Sequence, residues 1–202
     1  MEEQISRIAA QVADRLFVEV EASGRHVHLT KDQAMTLFGH GRTPKRPLSQ
    51  PGQFVCQERV EVLGPKGSFP KVAVLGPERK EGQVEISLTD GVTLGLTAPV
   101  RLSGQVRESP GITLRGPKGE VRLDHGVIVA QRHIHMPPEE AAARGLTDGQ
   151  VVRLKMFTAR PLVFDDVVVR VDPSFTPRVH IDFDEANACA YQSGDFGMII
   201  RG

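Results

Sequence analysis

The stretch "SGRHVHLT", residues 23–30, carries two histidines two positions apart, directly after a run of alternating apolar residues. Nearly the same residues return as "AQRHIHMP" at 130–137. Each copy follows a strand pattern and precedes a helix pattern; in the first copy, Thr30 is the predicted N-cap and Gly39 the predicted stop. The repetition therefore predicts two related domains, each introduced by the same strand–RHxH–helix unit.

The region between the two copies is a series of short apolar segments separated by turn signals. Two GPKG sequences, LGPERK and TDG supply the turns. Short strands at such regular spacing are typical of barrels and sandwiches. The predicted strands are QFVCQERVEVLG, KVAVLG, QVEISL, PVRLSGQV, GITLRG and GVIVAQ. We therefore predict a mainly β fold.

The composition excludes several classes of protein. Twenty-five basic residues balance twenty-five acidic ones, whereas nucleic-acid or anionic-membrane binding needs a basic excess. No apolar stretch approaches the roughly 18 residues of a membrane span. Cys56 and Cys189 match no zinc-ribbon or disulfide pattern, and we interpret both as buried thiols of a reducing compartment.

Residues 2–17 form an amphipathic pattern of about four helical turns. Its apolar positions are Ile5, Ile8, Ala9, Val12 and Leu16. Two interpretations stay open, namely a helix that packs on its own domain and a helix that docks on another protein.

The repeated H-x-H pairs indicate metal binding. Residues i and i+2 of a strand point to the same side, so each pair aims two imidazoles at one point. Val27 and Ile134, between the histidines, are expected to face the core. The sequence leaves open two metal ions or one ion held by all four histidines. The four are His26, His28, His133 and His135.

Further ligand candidates lie opposite the apolar faces of two strands. Glu85 in QVEISL and His180 in RVHIDF occupy such positions, where alternation alone favours exposure to solvent. They matter because catalytic zinc usually has three protein ligands. Arg79, after a Gly-Pro turn, is a candidate oxyanion clamp, although a lone turn arginine usually faces solvent. We interpret His40 and His125 as structural or surface residues.

The chain closely resembles the PduL-type phosphotransacylase family (phosphate propanoyltransferases) from about residue 18 to residue 188. Long and specific motifs carry this resemblance: RHVHLT, LSQPGQFVCQERVEVLGPKG, VLGPER, QVEISLTD, APVRLSG, GVIVAQRHIHMPPEEA and HIDFDEANA. The resemblance implies an enzyme that interconverts acyl-CoA plus phosphate and acyl phosphate plus CoA, with propanoyl-CoA or acetyl-CoA as the acyl donor.

The resemblance also implies two zinc ions per chain and a set of substrate contacts. One ion takes His26, His28 and Glu85, and the other takes His133, His135 and His180. Arg79 is expected to bind phosphate. The implied coenzyme A contacts are Ala22, Ser23, Gly24, Lys66 and Asn187. One departure concerns the strand KVAVLGP, where family members often have a basic residue at the position of Ala73.

The fold implied by the resemblance is two related β-barrel domains capped by short α-helices. Residues 18–24 and 131–202 are expected to form one barrel and residues 25–130 the other. A homodimer is expected as well. Residues 1–17 resemble the encapsulation peptides that carry such enzymes into bacterial microcompartments, for example in propanediol degradation. The expected location is therefore the microcompartment lumen or the cytoplasm.

Two alternatives belong to other classes of protein. A cupin-like non-haem iron oxygenase also combines H-x-H, Glu and His ligands in a β-barrel. Cupins place the glutamate a few residues after H-x-H, however, whereas Glu85 lies far beyond His28. A non-catalytic, metal-stabilised scaffold is the second alternative, and it predicts unfolding on zinc removal without any turnover of acyl-CoA.

Overall fold

The computed structural model describes residues 1–201, and all of their side chains except those of residues 10, 11 and 14. The fold is mainly β with short helices, as predicted. The strands are β1 (Phe17–Ser23), β2 (His26–His28), β3 (Pro44–Pro47), β4 (Phe54–Leu63), β5 (Ser68–Gly76), β6 (Gln83–Ile86), β7 (Val100–Arg101), β8 (Ile112–Arg115), β9 (Glu120–Leu123), β10 (Val127–Ala130), β11 (His133–Met136), β12 (Val151–Met156), β13 (Val163–Val171), β14 (Arg178–Asp182) and β15 (Phe196–Ile200). The helices are α1 (Glu2–Leu16), α2 (Lys31–Phe38), α3 (Leu88–Leu94), α4 (Pro138–Ala143) and α5 (Phe183–Ala188).

The chain divides into two compact units. Unit 1 combines Met1–Ser23 with the segment that begins at Arg132, and unit 2 is Gly24–Gln131. Unit 1 is a closed barrel in the strand order β1-β14-β11-β13-β12-β15, because β15 pairs with both β12 and β1. Its interior holds a cluster of aliphatic side chains that includes Val20, Ile134 and Leu154.

Unit 2 is a nine-stranded sheet in the order β7-β10-β6-β2-β5-β4-β8-β9, with β3 paired to β4. This sheet is curled but open, so only one of the two units closes into a complete barrel. A second apolar cluster, which includes Val27, Leu37 and Val74, fills the concave side. The related strands therefore build a closed barrel once and a half-barrel once.

The two units repeat the same arrangement of strands around each histidine pair. In unit 2, β2 pairs in parallel with β5 and antiparallel with β6, so His26 lies opposite Ala73 and Glu85. In unit 1, β11 pairs in parallel with β13 and antiparallel with β14, so His133 lies opposite Val168 and His180. Glu85 and His180 therefore occupy equivalent positions.

The helix that follows the first histidine pair has the predicted bounds. Thr30 and Gln33 form a capping box at the start of α2, and Gly39 ends the helix with a φ of 77°. The expectation that TDG at residues 89–91 is a turn was wrong. These residues lie inside α3, because Ser87 and Asp90 form a capping box directly after β6.

Within the described residues, no helix is both long enough and apolar enough to span a membrane.

Candidate functional site

Unit 2 contains a compact, buried group of three potential metal ligands. The ligand atoms of His26, His28 and Glu85 all lie within 4.8 Å of one another. The Oε2 atom of Glu85 is 3.5 Å from Nε2 of His26, and its Oε1 atom is 3.8 Å from Nε2 of His28. Glu85 is only 8% exposed, so the expectation from strand alternation alone, that this side chain faces solvent, was wrong.

Hydrogen bonds from two polar side chains hold the carboxylate of Glu85 in place. The side-chain amide of Gln83 donates to Oε1 of Glu85 at 2.5 Å, and the Ser103 hydroxyl donates to the same oxygen at 2.9 Å. Gln83 is itself fixed, because its Oε1 accepts the backbone N–H of Gly104 at 2.8 Å. Both donors bind one carboxylate oxygen, which leaves the other oxygen directed at His26.

The electrostatics of the group shift the pKa values of the two histidines in opposite directions. Burial alone lowers the pKa of His26, but attraction by Glu85 and the Gly24 carbonyl leave this pKa raised. Burial, together with His26 and Arg79, holds the pKa of His28 well below its ordinary value. Burial alone would raise the pKa of Glu85. Attraction by the two histidines and hydrogen bonds from His26 and Ser103 have the larger effect, so this pKa is strongly lowered. Without metal, the group therefore favours a proton on His26 over one on His28, beside an ionised Glu85.

The donor set fits a zinc ion. Ligands about 2.0 Å from a tetrahedral zinc ion lie about 3.3 Å apart. The distances from Glu85 to the two histidines, 3.5 and 3.8 Å, are close to this value. Nδ1 of His26 donates to the Gly24 carbonyl at 2.9 Å, which leaves Nε2 as the metal-binding nitrogen. Nδ1 of His28 is buried and has no hydrogen-bond partner among the described residues, a cost that ligation through this nitrogen would offset.

Arg79 borders the group of ligands. Its Nη2 atom is 3.4 Å from Nε2 of His28, and its Nη1 atom donates to the Ser103 hydroxyl at 3.4 Å. The backbone N–H of Arg79 donates to the Leu29 carbonyl, just beyond the histidine strand. Arg79 is partly exposed, so its guanidinium is available to an anion from solvent beside the candidate ligands.

Unit 1 gathers the second predicted set. The ring centroids of His133 and His135 are 4.6 Å apart, and those of His135 and His180 are 4.8 Å apart. His133 and His180 stack with a centroid distance of 5.2 Å. Phe175 packs on His135 at 4.0 Å and covers one side of the group. Three imidazoles thus lie together at the position equivalent to that of His26, His28 and Glu85 in unit 2, but among the described residues only the unit 2 group brings its potential ligand atoms close enough to hold a metal ion.

The residues predicted to contact coenzyme A are divided between the units. In unit 1, Ala22 and Ser23 end β1 alongside β14, which leads into α5 and the exposed Asn187. In unit 2, Gly24 orients His26, as described above. Lys66 has an evident structural role: its backbone N–H donates to the Leu94 carbonyl at the end of α3, and its stem packs on Gly95.

Neither cysteine has the properties of a nucleophile. Cys56 and Cys189 are fully buried, as predicted. Burial raises the pKa of Cys56 to about 11, so the thiol stays protonated at neutral pH. The side chains of His40 and His125 are 60% and 42% exposed, which agrees with their interpretation as surface residues.

Several residues of the site were missed from the sequence. Gln83, Ser103 and Asp90 had no assigned role, and the arginine of each RHxH motif had none either. The pattern S-x-x-D at Ser87–Asp90 is a capping-box signature and could have revealed α3. Gln83 lies two residues from Glu85 on the same strand, so alternation could have placed it beside Glu85. Nothing local marks Ser103, because it meets Glu85 from a distant segment.

A buried His-His-Glu group with an adjacent arginine has the ligand types to hold a metal ion and a cation to bind an anion beside it. A family model described as phosphate propanoyltransferase matches residues 19–192. Curated relatives named phosphate propanoyltransferase are similar along most or all of the chain. The Enterococcus faecalis protein is 52% identical over 100% of this chain and 95% of its own length. The Clostridioides difficile protein is 50% identical over 100% of this chain and 97% of its own length. The Thermotoga maritima protein is 47% identical over 90% of this chain and 88% of its own length.

The chain belongs to the phosphate propanoyltransferase family and is therefore an enzyme of the transferase class. This membership confirms the family resemblance of its motifs. It also removes the basis for the oxygenase and non-catalytic scaffold alternatives.

Proposed function

We propose that this enzyme interconverts propanoyl-CoA plus phosphate and propanoyl phosphate plus CoA at two zinc centres. The observation that carries the proposal is the buried group of His26, His28 and Glu85 with Arg79 at 3.4 Å from one of its ligands. The second proposed centre is formed by His133, His135 and His180. Bound zinc would supply Lewis-acid stabilisation of the CoA sulfur and of the thioester carbonyl.

The protein residues have separate roles in this proposal. The carboxylate of Glu85 lowers the net positive charge of its site, which favours release of the CoA sulfur after each turnover. Arg79 holds phosphate against the acyl carbon and so replaces a bimolecular encounter by an oriented one. The proposed coenzyme A contacts are Ala22, Ser23, Gly24, Lys66 and Asn187.

The acyl group passes directly between CoA and phosphate in a ternary complex, without a covalent acyl-enzyme. The burial of Cys56 and Cys189 supports this part of the proposal. The propanoyl group is proposed from the names of the relatives. Acetyl and propanoyl groups differ by one methylene, which changes transition-state binding by only about 1–3 kcal/mol.

The test is turnover by the purified full-length chain with propanoyl-CoA or acetyl-CoA. We expect CoA release only when phosphate is present, formation of the acyl phosphate, loss of both on chelation, and recovery with zinc. The Cys56→Ala and Cys189→Ala variants should keep most of the activity at 25 °C. CoA release without phosphate, or ping-pong kinetics with a trapped acyl-enzyme, would contradict the proposal.

We further propose that α1 directs the enzyme to the lumen of a bacterial microcompartment. Its apolar face is exposed, since Ile5, Ile8, Val12 and Leu16 are 45–59% accessible to solvent. Ala9, Ala13 and Phe17 extend this apolar surface. Such a face can dock on another protein by the helix-in-groove mode.

Deletion of residues 1–16 tests this location. We expect turnover in solution to change by less than about two-fold, since none of the proposed site residues lies on α1, and co-assembly with shell or core proteins to be lost. Ile8→Asp should reproduce the loss, while Glu3→Lys on the charged side of the same helix should assemble normally. Normal assembly of the truncated enzyme would contradict the proposal. The homodimer stays a prediction, and light scattering on the purified chain would check it by measuring the molecular mass in solution.

A further inference from the structure

The arginine that precedes each histidine pair has no role in the proposed chemistry, yet it makes a well-defined contact. Nε and Nη2 of Arg25 donate to Oδ2 and Oδ1 of Asp90 at 3.0 and 2.6 Å. The guanidinium also stacks on the ring of Phe69, 4.1 Å from its centroid. Paired hydrogen bonds and stacking fix the orientation of this side chain in a way that a lysine could not.

The carboxylate that Arg25 binds also holds the end of the strand that carries Glu85. Oδ2 of Asp90 accepts the backbone N–H of Ser87 at 3.3 Å, and the backbone N–H of Asp90 donates to the Ser87 hydroxyl at 3.2 Å. Ser87 lies two residues beyond Glu85. Asp90 therefore connects the residue before His26 to the residue after the Glu85 strand.

Unit 1 contains the same connection. Nη1 of Arg132 donates to Oε1 of Glu185 at 2.7 Å, and Arg132 lies over Phe164. Oε2 of Glu185 accepts the backbone N–H of Asp182 at 2.9 Å, and Oδ1 of Asp182 accepts the backbone N–H of Glu185 at 2.8 Å. Asp182 lies two residues beyond His180, as Ser87 does beyond Glu85.

We propose that Arg25 and Arg132 are positioning residues that set the register between each H-x-H strand and the strand of the third ligand. This inference rests on the proposed metal centres. The arrangement recurs although the third ligand, the N-cap and the bound carboxylate all differ in type between the units. What the units share is the link from the arginine to the strand end, and this is the feature that places the third ligand opposite the first histidine.

The short strands explain why such a link is needed. β2 has three residues and β6 has four, so few ladder hydrogen bonds define their register. A slip of one residue turns every side chain to the opposite face, which would move Glu85 away from both histidines. The side chain of Arg25 is 37% exposed but that of Asp90 only 8%, so loss of the arginine also leaves a buried carboxylate without its partner and is expected to lower stability. Zinc affinity, and not stability, is therefore the measurement that tests the positioning role.

The test measures zinc binding to the full-length chain by competition with a chromophoric chelator. We expect Arg25→Gln to weaken one of the two sites about 10- to 100-fold and Arg132→Gln to weaken the other, as is usual for residues that orient metal ligands. Asp90→Asn keeps the Ser87 cap but loses the charge, and it should behave like Arg25→Gln. The double variant Arg25→Gln/Asp90→Asn should bind zinc no more weakly than either of its single variants, because the two residues act through one contact. In cobalt-loaded protein, the visible absorption band of the affected site should shift.

A matched control is available in the same unit. Arg115→Gln removes an exposed arginine that bonds Glu120 at 2.5 Å across the β8–β9 hairpin, and it should leave both zinc affinities unchanged. If Arg25→Gln and Asp90→Asn lower the melting temperature but leave zinc affinity and the cobalt spectrum unchanged, the arginines are only structural and the inference is wrong. If the wild-type chain binds no zinc, the proposed function fails as well, so the two failures are distinguishable.

Discussion

Replacement of Glu85 by glutamine is expected to remove one of two bound zinc ions and to lower kcat by about 10³-fold. The magnitude follows because a catalytic metal contributes several kcal/mol of charge stabilisation, and each 1.4 kcal/mol corresponds to about ten-fold in rate. The substitution keeps the shape of the side chain. Its Oε1 can still accept from Gln83 and Ser103, which hold that oxygen in the native protein. The variant should therefore fold, and the loss should report on the metal site.

Metal content by mass spectrometry and steady-state kinetics on the same preparation check this prediction. Glu120→Gln is the matched control, since Glu120 is an exposed glutamate in unit 2 that pairs only with Arg115 among the contacts described. It should retain two zinc ions and full turnover. His180→Gln should remove the other ion and keep the first. Two tightly bound ions and normal turnover in Glu85→Gln would contradict the assignment of Glu85 as a ligand.

The histidine pairs were predictable from the sequence because their chemistry is local. Residues i and i+2 of any strand share a face, so H-x-H converges on one point whatever the rest of the fold does. The bounds of α2 were predictable for the same reason, since a capping box at Thr30 and a glycine at position 39 act within one helix. Repetition of these local signals then predicted two related units.

The burial of Glu85 was not predictable from alternation. The pattern of β6 correctly puts Glu85 on the face opposite Val84 and Ile86, but it cannot say what covers that face. In the structure, β6 lies in the interior of the sheet between β10 and β2, and all four of its residues are buried. The polar cover comes from Ser103, which is distant in sequence, and from Arg79 on the turn before β6, whose guanidinium donates to the Ser103 hydroxyl. The family resemblance implied a second barrel, and unit 2 is a curled half-barrel. Strand patterns could not have shown this difference, because they do not show whether the end strands of a sheet meet.

Replacement of Arg79 by alanine is expected to lower kcat/KM for phosphate by about 10²- to 10⁴-fold, with zinc content unchanged. Hydrogen bonds to a charged group are worth about 1.5–3 kcal/mol each, and a guanidinium offers phosphate two of them. The loss should appear mainly in the KM for phosphate and acyl phosphate. The KM for acyl-CoA should change little, because Arg79 is proposed to hold only the phosphate. Arg79→Lys keeps the charge but not the paired geometry, so it should recover only part of the loss.

The adjacent Lys80 provides the control for this prediction, because it is an exposed cation on the same turn. Lys80→Ala should keep the wild-type KM for phosphate, which separates a specific contact from general attraction of anions by positive charge. A dependence on ionic strength gives a second check, since long-range attraction is screened by salt whereas direct hydrogen bonds are screened much less. Arg79→Ala and Lys80→Ala could instead lower kcat/KM for phosphate equally, with neither decrease remaining at high salt. That result would show that Arg79 acts only as one positive charge among several. A loss of zinc from Arg79→Ala would instead assign Arg79, through its contact with His28, to the support of the metal ligands.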